Sequence, residues 1–252
     1  HHAHASAAYY ECNTNEPVIA FTWDGVGYGE DGTLWGGETF FGKPGAWQRV
    51  ASMRSFNLPG GDKASREPWR SAAALCWELD QTCEVLPEKD PLLHQAWQRK
   101  LNAPQSTSVG RLFDAAAALT GVRTVASFEG QAAMELEALC HFSAEKNVAQ
   151  PADYIALALQ KTGHLLITDW QPLVNVMSDT TLCVGTRASL FHSSLAHAIL
   201  QQATIIRAEQ GVNRVSFSGG VFQNRVLTEI AMRLLTEHDF KICLPEQIPV
   251  ND

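Results

Sequence analysis

One stretch constrains this chain more than any other. The apolar run Val18-Ile19-Ala20-Phe21 leads through Thr22 and Trp23 to Asp24, after which glycines alternate at Gly25, Gly27 and Gly29. The run predicts a strand, and the glycines predict a turn whose backbone amides can be approached closely. Such a turn can wrap phosphate oxygens, with Asp24 placed to hold a metal or orient a leaving group. A plain hairpin or tight loop has the same signature, so the stretch alone leaves both readings open. Residues 31–38 then read as the turn and return strand of a β-hairpin, with Trp35 available to pack.

A second strand-to-glycine turn lies near the end of the chain. Arg214-Val215-Ser216-Phe217 reads as a strand, and Ser218-Gly219-Gly220 leads into a helix expected from about Phe222 to Leu235. The N-terminal amides and dipole of that helix suit an anion or a nucleotide. Two such turns facing one cleft would suit a nucleotide better than either alone.

With 252 residues, 45% of them apolar, the chain can bury a substantial core as one large domain or two lobes. A formal charge of −8 argues against a broad nucleic-acid footprint, which needs clustered Lys and Arg. No apolar run approaches the roughly 18 residues that cross a bilayer, and no signal-peptide pattern opens the chain, so a soluble cytoplasmic protein without membrane contact is expected. The six cysteines never form a C-x-x-C pair, which predicts reduced, mostly buried thiols. The chain begins with His1 and stops at Pro249-Val250-Asn251-Asp252, and reads as a piece of something longer.

Other elements follow in order. A helix is expected from the first residues to about Glu11, placing His1 and His4 on one face, where they could share a metal or form a solvated histidine cluster or a leftover tag. Pro59 to Lys63 reads as a loop before a helix carrying Arg66 and Arg70, and Lys63, Arg66 and Arg70 form either an anion-facing or partner-facing patch or a solvated helix start. Pro87 to Pro91 separates this from a helix over Leu92–Leu101. The next helix runs from Arg111 to Leu119, stopped by Gly121, with Asp114 expected in its first turn as a dipole partner or as a ligand-facing carboxylate. A helix opened by Gly130-Gln131 is expected to reach about Lys146, and Leu165–Thr168 reads as a strand ended by Asp169 to Pro172. Thr186 to Gln210 is the longest helical pattern, with Gly211 as its stop and His192 and His197 as structural histidines. Together these elements predict an α/β two-lobed fold around a nucleotide cleft.

Ordered motifs extend this reading. His-His-Ala-His at 1–4, Trp-Asp-Gly-Val-Gly-Tyr-Gly at 23–29, Leu-Trp-Gly-Gly-Glu at 34–38, Leu-Pro-Gly-Gly-Asp-Lys-Ala at 58–64 and Arg-Glu-Pro-Trp-Arg at 66–70 come first. Gly-Arg-Leu-Phe-Asp-Ala at 110–115, Phe-Glu-Gly-Gln-Ala-Ala-Met-Glu-Leu-Glu at 128–137 and Ser-Gly-Gly-Val-Phe-Gln-Asn at 218–224 follow. Together they resemble the transferase domain of the hydrogenase-maturation carbamoyltransferases, the HypF family, along nearly the whole chain.

The resemblance implies an actin-like, sugar-kinase-like ATPase fold (RNase H-like), here incomplete at both ends. Its tentative lobes would be residues 1–60 with a helical insert at 61–185, and 186–252. It also implies transfer of a carbamoyl group from carbamoyl-adenylate, made from carbamoyl phosphate and ATP by a separate domain, to the C-terminal cysteine of the partner protein HypE during [NiFe]-hydrogenase maturation. By position, Asp24 and Gly25, with Gly27 beyond, match the phosphate-side turn, and Gly219 and Gly220 the second turn. Asp114, Gly130 and Asn224 match positions that contact the nucleotide's sugar and base. His4, with His1 as a weaker substitute for a histidine before residue 1, and Asp252 match the ligands of a divalent metal: Zn, Fe or Mg/Mn. Asp24 and His4 are the implied catalytic residues. An O-carbamoyltransferase for a small hydroxyl acceptor, or a nucleotide-binding or docking module without turnover, would share the fold.

Overall fold

The computed structural model describes residues 1–86, 91–140, 153–245 and 247–250. Its centre is one mixed sheet. The antiparallel meander β1 (Val18–Tyr28), β2 (Leu34–Gly42) and β3 (Gln48–Met53) forms the middle. On one side of it, β8 (Arg214–Ser218) and β9 (Lys241–Cys243) add in parallel to β1. On the other, β7 (Leu165–Thr168) pairs in parallel with β3 and carries β6 (Leu159–Thr162) at the edge. Two short strands, β4 (Phe56–Asn57) and β5 (Gln105–Ser106), branch off β2. The order is β6-β7-β3-β2-β1-β8-β9, so the sheet is continuous from the hairpin strands of the first 60 residues to those after residue 186.

β1 reads as a near-continuous apolar run because it is covered on both faces. Val18 and Ala20 face α1 (His2–Glu11) and pack with Ala5, Tyr9, Trp35 and Phe40. Ile19, Phe21 and Trp23 alternate to the opposite face and enter the main core. That core is built from α2 (Pro68–Glu78), α4 (Val109–Leu119), α6 (Gln171–Ser178), α7 (Val184–Gln210) and α8 (Arg225–Glu237). Two shorter helices, α3 (Pro91–Gln98) and α5 (Gln131–Ala138), complete the set among the described residues. None of the described helices is long and apolar enough to cross a membrane. All six cysteines are free, and all but Cys183 are buried.

Several boundaries differ from the sequence expectation, each for a local reason. β1 does not end in a turn at the glycines; it continues to Tyr28, and its register against β2 shifts between Trp23 and Gly27. Three residues, Asp24 to Val26, therefore stand opposite Gly36 alone, a bulge that bends the strand and re-aims its side chains. Arg66 lies outside the helix it was assigned to, because α2 begins at Pro68. α4 is capped by Ser108 rather than begun at Arg111, which puts Asp114 in the second turn, beyond the reach of a simple dipole role. α8 starts at Arg225, after a 3-10 turn over Gly220–Gln223, because Asn224 takes the N-cap position. The segment after β7 does not simply end there but forms α6 with Pro172 in its first turn. α5 ends at Ala138, where Leu139 caps it, short of the expected Lys146, and most of the separator Pro87 to Pro91 lies outside the described residues.

Candidate functional site

Pairing of β1 with β8 brings the two glycine stretches together. Thr22 stands opposite Ser218 in a parallel register, so the residues just beyond each, Asp24 and Gly220, leave the sheet at the same edge. This is the carboxyl end of neighbouring parallel strands, where α/β sheets hold their ligands. An aromatic stack fixes the approach: Trp23 lies on Phe222 with centroids 5.6 Å apart, and Phe222 lies on Phe217 at 4.6 Å. Gly219 sits at φ 99°, and a Cβ there would stand 2.2 Å from the Trp23 carbonyl oxygen, so only glycine lets the second stretch pass this close to the first.

Asp24 is the focus of the convergence. Its Oδ1 accepts the Gly25 N–H at 2.7 Å, the Gly220 N–H also points at the carboxylate, and His4 Nε2 lies 3.4 Å from Oδ2. Burial pushes the Asp24 carboxyl pKa up, but the bonds from His4, Gly25 and Gly220 outweigh it and hold the group below its ordinary value. His4 reaches it from the first turn of α1, and the His1 ring packs against the backbone of Gly27, with the two imidazole centroids 6.3 Å apart. Both histidines are thus on the sheet edge that carries Asp24.

The floor of the site comes from α4. Ser108 caps that helix by accepting the Arg111 N–H, and its hydroxyl lies within bonding distance of the Asp24 and Gly25 carbonyls at 2.8 and 2.7 Å. Gly110 lets the helix press onto the bulge, since a Cβ would be 2.7 Å from Gly25 Cα. Arg111, 6% exposed, then lies beneath Gly25, and its Nη1 stands 2.9 Å from Asp114 Oδ2. The pair is close but poorly aligned: Asp114 Oδ2 and Arg111 Nε make no hydrogen bond within the protein. Burial pushes the Asp114 carboxyl up to about 6, against the pull of Arg111, with the Glu129 charge adding to the rise. Glu129 is exposed and reaches toward Gly25 from the loop that ends at Gly130, the N-cap of α5 at φ 76°.

Asn224 is engaged within the protein. Its Oδ1 accepts the Leu227 N–H as the cap of α8, and its Nδ2 lies 2.9 Å from His192 Nε2. His192 is wholly buried, and its Nδ1 donates to the Ala188 carbonyl at 2.8 Å, which leaves Nε2 as the acceptor. Burial pushes this imidazole down to about 4, so it stays neutral, and the expectation of a structural histidine holds for it. Lys63 and Arg66 are exposed, and Arg70 is spent on Glu67 at 2.5 Å and on the Trp69 ring at 4.4 Å. The patch expected of these three is therefore spread along a loop and a helix start. Asp252 lies outside the described residues, and among these no three His, Cys, Asp or Glu side chains converge as metal donors.

Sequence reasoning did not single out Arg111, Ser108 or Glu129. For Ser108 the signal was present, a serine immediately before an apolar helical pattern, as N-caps are. For Arg111 only the fold reveals that Gly110 and Gly25 bring its helix against the bulge.

The fold defines a Kae1-like α/β domain. The family described as the carbamoyltransferase, Kae1-like domain, second subdomain, matches residues 20–252. The chain belongs to the HypF carbamoyltransferase family. It is 37% identical over 279 residues to carbamoyltransferase HypF2 of Cupriavidus necator, covering all of this chain and 34% of that protein. It is 34% identical over 277 residues to carbamoyltransferase HypF of Synechocystis, covering all of this chain and 35% of that one. The chain thus spans about a third of the length of these relatives. Among solved structures it is similar to full-length HypF in its phosphate- and nucleotide-bound form, with a TM-score of 0.91 and 31% identity over all of this chain and 40% of that one. It is also similar to HypF of T. kodakarensis, with a TM-score of 0.82, 27% identity, and coverage of all of this chain and 34% of that one.

Proposed function

We propose that this chain is the carbamoyl-transferring part of a hydrogenase-maturation enzyme acting in the cytoplasm. It would take the carbamoyl group of a carbamoyl-adenylate, made elsewhere in the protein from carbamoyl phosphate and ATP, and pass it to the C-terminal cysteine of HypE. The observation that carries the reading is the meeting of both glycine stretches at Asp24, with the Gly25 and Gly220 amides and His4 all directed at one carboxylate. A site that gathers this many donors on an anion is built to hold negative charge. The nucleotide in the similar full-length structure supports the choice of a nucleotide.

The reading assigns roles to this chain's own residues. The adenylate phosphate takes the amides of Gly25 and Gly220, which Asp24 engages in its absence, while Gly219 and Gly27 leave room for the backbone to follow it. His4 offsets the charge of Asp24 as the phosphate approaches. The Arg111 guanidinium beneath Gly25 supplies a buried cation for the leaving AMP, and Asp114 keeps that cation in place. Gly130 and Glu129 border the mouth on the side of the sugar, and Asn224 acts through its cap of α8, holding the Gly219–Gly220 stretch. The partner's thiolate attacks the carbamoyl carbon, the C–O bond to AMP breaks, and the donors at the turns stabilise the phosphate as it leaves.

A divalent metal held by His4, His1 and Asp252 would polarise the carbamoyl oxygen. Of these three, His4 and His1 lie within the described residues, on the sheet edge that carries Asp24.

The test is mass spectrometry of the HypE C-terminal cysteine after incubation with the full-length protein, carbamoyl phosphate and ATP. A carbamoyl adduct is expected, and Arg111→Gln should reduce its initial rate by about a hundredfold, the loss of one electrostatic partner of the leaving group. ATP binding without any adduct, at wild-type protein, would hand the site to the docking reading instead.

A further inference from the structure

Two free cysteines far apart in sequence meet at the contact between α1 and β9. Cys12 ends α1 and is 5% exposed; Cys243 ends β9 and is 7% exposed. Their thiols are neighbours across this contact, each perturbing the other. The Cys12 thiol donates to the Ala8 carbonyl at 3.4 Å. Arg214, on the neighbouring strand β8, lies across the pair: its Nη1 stands 3.9 Å from Cys243 Sγ and 3.4 Å from the Cys12 carbonyl.

We propose that Cys243 and Cys12 are a redox-modification site, in which a peroxide converts Cys243 to a sulfenic acid and Cys12 resolves it to a disulfide joining β9 to α1. The charges favour this division of labour. The neighbouring Cys12 thiol and the Arg214 guanidinium, 3.9 Å from its sulfur, draw the Cys243 thiol down against its burial, which favours the thiolate at that position. The neighbouring Cys243 and burial push the Cys12 thiol up, and its S–H faces the Ala8 carbonyl, so Cys12 is the partner that keeps its proton longer.

The step balances. The Cys243 thiolate attacks one peroxide oxygen, the O–O bond breaks, and hydroxide leaves and takes up a proton to become water. The Cys12 sulfur then attacks the Cys243 sulfur, its S–H proton goes to the departing hydroxide, and a second water forms. Two electrons pass from the two thiols to one peroxide.

A second thiol pair provides an internal comparison. Cys76 and Cys83 are also neighbouring thiols, but there the further donor is the Val85 amide and the nearby charge is the Glu84 carboxylate. A guanidinium favours a thiolate more than an amide does, and a carboxylate disfavours it. Oxidation is therefore directed to the Cys12–Cys243 pair.

The site has a structural reach. Glu11, beside Cys12, accepts the N–H groups of Gln247 and Ile248 at 2.9 and 2.8 Å, and Val250 accepts the Gly219 N–H at 2.6 Å. The disulfide would thus pin the same two segments that carry His4 on one side and the strap over Gly219 on the other. This inference stands independently of the carbamoyl-transfer reading.

The experiment is stepwise addition of hydrogen peroxide to the fully reduced chain, alkylation of remaining thiols, and mass spectrometry of a non-reducing digest. The expected result is a peptide pair linked through Cys12 and Cys243, lighter by two hydrogens and lost on reduction, appearing before any Cys76–Cys83 link. In Cys12→Ser the reaction should stop at a Cys243 sulfenic acid captured by dimedone. Arg214→Gln should slow the link by about tenfold and Arg214→Lys less, in keeping with a cation that favours the thiolate. Unmodified Cys12 and Cys243 after the exposed Cys183 has been oxidised, or a Cys76–Cys83 link formed first, would overturn the proposal.

Discussion

Asp114 makes a quantitative claim that solution measurements can refute. Its carboxyl is displaced from 3.8 to about 6 because it is 3% exposed and its ion pair with Arg111 is poorly directed. The sign follows from proton counting. Below 3.8 the group is protonated in both states and contributes nothing. Between 3.8 and about 6 the unfolded chain has released the proton and the folded chain keeps it, so stability falls as pH rises; above about 6 the full loss persists. A displacement of that size corresponds to about 3 kcal/mol. Asp114→Asn removes the titration while preserving the shape. The stability difference between the variant and the parent, from urea unfolding at a series of pH values, should move by about 2.4 kcal/mol in favour of the variant between pH 4 and pH 7, since a small part is already lost by pH 4. A difference that stays flat across that range would show that Arg111 neutralises the carboxylate fully, and the account of a mismatched buried pair would fail. A difference moving in the opposite direction would mean that the ion pair dominates.

Three further outcomes follow from the same geometry. Gly219→Ala places a Cβ 2.2 Å from the Trp23 carbonyl at φ 99°, and should lower unfolding stability by about 2–4 kcal/mol; an unchanged urea midpoint would contradict the close approach of the two stretches. Asn224→Asp keeps the α8 cap but removes the donor to His192 Nε2, so it should cost at least about 1 kcal/mol, where an exposed cap would tolerate the change; equal stability would exclude the buried link. His4→Ala should raise the Asp24 pKa toward its ordinary value in a carboxyl NMR titration. Asp24 contributes stability above the unfolded pKa that is lost as pH falls through its folded value, so the variant should show a smaller acid loss, and an unmoved Asp24 titration would rule out the contact.

Legibility in the sequence followed the range of the interactions. β1, the hairpin turn after it, α7 with Gly211 as its stop, and β8 were readable because apolar periodicity and glycine chemistry are local. The resemblance supplied the family, and the matching relatives bear it out. What local pattern could not give was the bulge at Asp24 to Val26, since the register of β2 decides it, nor the helix start at Asn224, since a buried His192 on α7 supports that cap. Arg111 was missed for the same reason. Its sequence neighbours describe an ordinary helix, and only the contact of Gly110 with Gly25, across much of the chain, turns its side chain into part of the site.

The parallel pairing of β1 with β8 is what makes one site of two remote glycine stretches. An antiparallel neighbour would have sent Gly219 to the opposite edge of the sheet from Asp24; the parallel register Thr22 to Ser218 sends both to the same edge. The crossover that a parallel pair requires is supplied by the 27 residues of α7, which buries His192 behind Asn224 on its way. The helix that returns the chain to the sheet therefore also sets the cap after the second glycine stretch. A change in α7 packing at His192 would reach Gly220, and through its amide the Asp24 carboxylate, without touching a ligand. The anion-holding edge is in this way coupled to the helical segment through hydrogen bonds from Gly220 to Asp24 and from Asn224 to the buried His192, which do not yield independently of one another.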